Sequence, residues 1–131
     1  MRCALIVSLL LASSAAMATP CETINHTLTD DRKTRLGPVV AAALNTKWAK
    51  VVESLQVAEW YILLVETRSS DPAFMFFHGD PVDHTMVTLW SGGAMIGEGP
   101  KIKRWVLDHA PGIPATLAAC FAYRVTPHGN E

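Results

Sequence analysis

The sequence predicts an α+β domain: an antiparallel meander of three to four strands, packed by an N-terminal helix and two C-terminal helices. Two patterns carry that reading. Three runs rich in aromatic and β-branched residues lie between Glu59 and Trp90, separated only by short turn segments. Apolar residues at spacings of three and four lie before that block and again after it, and runs of strands flanked by helices make an α+β layer arrangement.

In chain order, residues 1–18 read as an export leader. Arg2 precedes the apolar run Ala4–Ala12, and the stretch closes on Ala16-Met17-Ala18, small residues at both positions a signal peptidase inspects. The run is far shorter than the roughly 20 residues that span a bilayer. Cleavage is expected between Ala18 and Thr19, leaving 19–131 as one small domain, exported to a periplasm or the medium. Pro20 stands directly before Cys21, where lipoprotein processing needs a small residue, so a lipid anchor is not expected.

Of three cysteines, Cys3 lies in the leader, leaving Cys21 and Cys120 as a pair in an oxidising compartment. Their disulfide is expected to staple the mature N-terminus to the C-terminal segment. Chain-entropy estimates for so long a loop reach about 4–5 kcal/mol as an upper figure.

Residues 19–33 read as a polar arm, within which Asn25-His26-Thr27 fits the N-x-T glycosylation pattern. From Pro38, a residue suited to a first helical position, the chain reads helical, with Val40, Leu44, Trp48, Val51 and Leu55 as its stripe. One long helix is favoured. The stretch 47–57 also alternates as a strand, with Val51, Leu55 and Val57 on one side, and a short helix followed by an extra strand is the second choice.

The three expected strands are Glu59–Thr67, Ala73–Gly79 and His84–Trp90. Pro100 opens a helix bearing Ile102, Trp105, Val106 and His109, "APGIP" ends it, and Pro114 starts the last helix with Leu117, Cys120 and Phe121 on one face. None of the three strands alternates apolar with polar, as a half-solvated sheet would. Trp60, Phe74, Phe76 and Trp90 therefore mark an apolar face that needs a cover: the terminal helices, a second copy of the chain, or a partner protein.

Chemistry-bearing side chains concentrate in "HGDPVDH". His78 and His84, with Asp80 or Asp83, have the composition of a zinc or acid–base site. Against that, Gly79-Asp80-Pro81 is a turn signature in its own right, and the spacing matches no established zinc pattern. The turn is the expected role, with no metal and no cofactor. "SGGA" (Ser91–Ala94), followed by Lys101, Lys103 and Arg104, lacks the phosphate-loop pattern, and Ser91 is not in a nucleophile elbow. Cys120 in its apolar setting is no candidate nucleophile.

Eleven Lys/Arg, Arg2 among them, oppose twelve Asp/Glu with no long charge block, which argues against nucleic-acid binding. The expected function is that of a small exported binding protein, such as an inhibitor or immunity-type partner of an envelope or secreted enzyme. The alternatives are a small enzyme or metal-binding protein using the His78–His84 loop, and a structural homodimer. Intact-mass measurement of the exported chain is expected to give Thr19–Glu131 less the two hydrogens of one disulfide; a mass that retains Met1 would contradict the leader reading.

Overall fold

A computed structural model describes residues 19–128. The expected leader and its cleavage site at Ala18 lie outside the described residues. Seven elements follow in order: α1 (Asp30–Ala43), β1 (Ala49–Val57), β2 (Trp60–Thr67), β3 (Ala73–His78), β4 (Met86–Ser91), α2 (Gly99–His109) and α3 (Ala115–Val125). The strands form one antiparallel sheet in the order β1-β2-β3-β4, so the meander is as expected, with the fourth strand added at its N-terminal side.

The N-terminal third departs from the sequence expectation in three places. Helix α1 begins at Asp30, inside what reads as a polar arm, because Thr29 caps it: its hydroxyl accepts the Arg32 N–H at 3.2 Å, with Asp30 and Asp31 in the positive first turn. Pro38 lies within the helix rather than at its start. The helix also stops early. Asn45 takes a left-handed conformation (φ 52°), the Asn45 N–H bonds the Ala42 carbonyl at 3.1 Å, and the Thr46 N–H bonds that of Ala41 at 2.9 Å. This paired arrangement is a Schellman stop. The favoured long helix is thereby corrected to a short helix plus strand β1.

Strand β1 carries a register shift between Val51 and Glu53, a bulge at Val52. One extra residue reverses the faces of everything after it. Val51 packs on the α1 side with Leu36 and Val40, whereas Leu55 packs on the opposite side with Phe76 and Phe121. The expected grouping of Val51 with Leu55 on one side is corrected for that reason. A second shift, at Val87 in β4, likewise sets Met86 and Leu89 together toward α1, with Trp90 on the other face.

Helices cover both sides of the sheet. Helix α1 lies over Leu63, Val65, Met75 and Phe77; α2 and α3 lie over Trp60, Ile62, Phe74 and Phe76. Phe121 of α3 is the centre of the second layer, with its ring edge-on to Phe74 and Phe76, both at 5.0 Å, and to Trp90 at 5.5 Å. Such edge-to-face pairs add about 0.5–1.5 kcal/mol each beyond their burial. The apolar face marked by Trp60, Phe74, Phe76 and Trp90 is thus filled by the chain's own helices. It is not an open interaction surface, and Phe76 is fully buried.

Cys21 and Cys120 form the expected disulfide, 99 residues apart in sequence and 4.6 Å apart between Cα atoms. It fixes the arm on α3, where Ile24 joins the core and Asn25 exchanges two backbone hydrogen bonds with Gln56 of β1 (3.0 and 2.9 Å). One turn further along α3, Arg124 holds Glu53 of β1 in a two-pronged ion pair at 2.9–3.1 Å. Among the described residues no helix is long and apolar enough to cross a membrane. Replacing Cys21 and Cys120 together by alanine is expected to lower unfolding free energy by about 2–5 kcal/mol in denaturant titrations, with the folded far-UV spectrum retained in water.

Candidate functional site

The loop joining β3 to β4 places each sequence candidate by a definite local cause. His78 is the last residue of β3, opposite Trp60 in the register, and its ring lies flat on the indole at 4.5 Å and 5°. Its Nε2 is 3.8 Å from the Glu59 carboxylate, with both side chains more than half exposed. Gly79 follows at φ 97°, and its N–H donates to the Glu59 carbonyl at 2.7 Å. That positive φ strains any residue with a side chain, and a Cβ there would also displace the His84 ring, 2.5 Å away.

Asp80 organises the turn. Its Oδ1 accepts the Val82 N–H at 2.9 Å, and its carbonyl accepts the Asp83 N–H and the His84 Nδ1–H, both at 3.0 Å. The same Oδ1 accepts from Arg32 Nη2 of α1 at 2.9 Å, and that guanidinium carbon stands 5.9 Å over the Tyr61 ring. The Arg32 hydrogen bond holds the Asp80 carboxyl below its ordinary value of 3.8; partial burial opposes this, while the Val82 N–H and the charges of Arg32 and Arg35 add to it. An acid held ionised in this way, with two donors on its Oδ1, has little capacity to exchange protons near neutrality.

His78, Asp80 and His84 line one depression of about 450 Å³ together with Glu59 and Tyr61. Asp83 is separate from His78 and Asp80, in a second depression against Val39, Ala42 and Ala43 of α1, with His84 at the border of both. Among the described residues no three His, Cys, Asp or Glu side chains converge as a metal ion requires. His109 is engaged within its own helix, donating from Nδ1 to the Trp105 carbonyl at 2.8 Å. The side-chain N–H of Asn25, the glycosylation candidate, donates to Gln56 at 3.1 Å.

The segment after β4 holds what the sequence reading passed over. Gly92 and Gly97 have φ of 110° and 87°, and between them Met95 and Ile96 are the most exposed large apolar residues described, at 73% and 68%. They do not fold back on the core because the segment is closed on itself. The Met95 N–H donates to the Glu98 carboxylate at 2.8 Å, and the Glu98 N–H donates to the Met95 carbonyl at 3.1 Å. The available signal was two large apolar residues inside a glycine-rich break, with an acid three positions on. Beside this tip runs β4, whose outer edge receives no backbone hydrogen bond from any described residue. Met86–Ser91 contains no charged residue. The other edge of the sheet, β1, has Lys50, Glu53 and the Asn25 bridge to guard it.

The lowered pKa of Asp80 fixes the sign of one pH effect. A group whose folded value is lowered adds stability above its unfolded value and loses it as pH falls through the folded one. With the Asp80 side chain 41% exposed, water screening limits the contribution to about 0.5–1 kcal/mol. Asp80→Asn is therefore expected to be slightly less stable than the parent at pH 7 and to match it near pH 2 in chemical unfolding; an unchanged difference between the two pH values would contradict the assignment.

No family model matches the chain, and no curated protein or solved structure is significantly similar to it.

Proposed function

We propose that the chain is a small exported protein-binding module, an inhibitor or immunity-type partner of an envelope or secreted enzyme, which makes contact through the Met95–Ile96 tip and the adjoining edge of β4. The observation that carries this reading is the braced exposure of Met95 and Ile96. A closed turn that already holds the backbone beneath large apolar side chains leaves only their rotamers to be ordered on docking, and that is the economy of a preorganised binding loop. The open β4 edge adds unpaired backbone donors and acceptors beside the tip, suited to an extended segment of the partner. Val87, 41% exposed, lies on the same strand. Export is supported by the pattern of residues 1–18 and by a disulfide that an oxidising compartment maintains.

The enzyme alternative has less support, since Asp80 and His84 are committed to the turn and Asp83 lies apart from His78. The test is photo-crosslinking from a benzophenone amino acid at position 96, with Asp108 as the control position, in cells that make the protein. A single heterologous product from position 96 is expected. With the identified partner in purified form, Met95→Asp and Ile96→Asp are each expected to weaken binding about thirtyfold or more, the effect of losing about 2 kcal/mol at a contact centre. Their melting temperatures should stay close to the parent's. A product containing only two copies of this chain would support the homodimer instead, and equal labelling from both positions would defeat the assignment.

A further inference from the structure

A different part of the surface has the composition of a ligand site. Between α1 and the start of β1 lies a groove of about 480 Å³, within the size range of small-molecule pockets, lined by Lys33, Gly37, Pro38, Lys47, Trp48 and Lys50 among others. Three lysines line it and no acid does. The chain as a whole is slightly acidic, net −1, so this gathering of cations does not follow from a basic composition. Trp48 is 37% exposed, and the Arg68 guanidinium carbon stands 4.5 Å over its ring, adding a fourth cation at the margin. Among the described residues none of these four cations makes an ion pair.

The groove is maintained against local propensity. Gly37 and Pro38 sit inside α1, where they are less favourable than alanine by about 1 and about 3 kcal/mol respectively. Gly37 leaves the wall without a side chain although an alanine would fit, its Cβ meeting the Ala49 carbonyl at an ordinary 3.4 Å. Lys47 and Trp48 follow directly on the Schellman stop, which fixes where the chain leaves the helix. Residues that break a local rule without a packing gain cluster at functional positions.

We infer that this groove binds a small, multiply anionic ligand: a ring-sized core carrying several phosphate or sulfate groups. Lysines act as point charges that accept such groups from varied directions, and a guanidinium stacked on an indole keeps its fork free for a further anion. The exposed part of Trp48 offers apolar surface to the core of the ligand. This site is independent of the Met95–Ile96 surface, and an Ile96→Asp chain should bind the anion as the parent does.

Calorimetric titration of the full exported chain with sucrose octasulfate, myo-inositol hexakisphosphate, inorganic phosphate and plain sucrose tests it. At least one polyanion is expected to bind with a micromolar Kd at low salt and about tenfold more weakly at physiological ionic strength, where screening is stronger. Lys33→Gln with Lys47→Gln should weaken that binding about tenfold or more without moving the melting temperature. Lys101→Gln with Lys103→Gln, on α2, should leave it unchanged. Binding should also alter tryptophan fluorescence, and Trp48→Phe should abolish the change. The inference is overturned if neither polyanion binds, if inorganic phosphate binds as tightly as they do, or if the α2 pair weakens binding as much as the groove pair.

Discussion

A sheet with apolar side chains on both faces must be covered twice, and nearly everything else in this molecule follows from that requirement. Alternate residues of β2 send Ile62 to one core and Leu63 to the other, and both are almost completely buried. One helix precedes the strands and takes one side; two follow them and take the other. The second layer is the larger. It is built around Phe121, whose ring meets three aromatic side chains from β3 and β4. Polar groups are then left to the turns and edges.

The strands β2, β3 and β4 and the two C-terminal helices were legible because their signals are dense and local: aromatic and β-branched runs, Pro100, Pro114 and the "APGIP" break. The region of α1 and β1 was not, for reasons visible in single residues. The stripe Val40, Leu44, Trp48, Val51, Leu55 is helical in spacing, yet the helix ends at Ala43 and the bulge at Val52 sends Val51 and Leu55 to opposite faces of a strand. Asn45 ends the helix through a left-handed backbone that asparagine adopts readily but does not announce. Thr29-Asp30-Asp31 was a readable start signal, obscured by Pro38, which suggested a later one.

For chemistry, composition and geometry part company. "HGDPVDH" holds the right residue types, and the sequence shows that plainly. What the side chains do there depends on Arg32, 48 positions away, which ties up Asp80. No local reading supplies that partner. Met95 and Ile96 present the reverse case. Their types suggest burial, and only the Glu98 carboxylate closing the turn explains why they stand in water. The groove beside Trp48 was illegible for a third reason: its lysines come from α1, from the loop after it and from β1, and only the early helix stop brings them together.

The position of Phe121 has a consequence for how the chain folds. Until α3 docks there is no ring to set against Phe74, Phe76 and Trp90, so those aromatics stay wet while the rest of the sheet assembles. Docking of α3 completes the aromatic cluster and brings the second sulfur alongside the first, joining collapse of this layer and oxidation in one event.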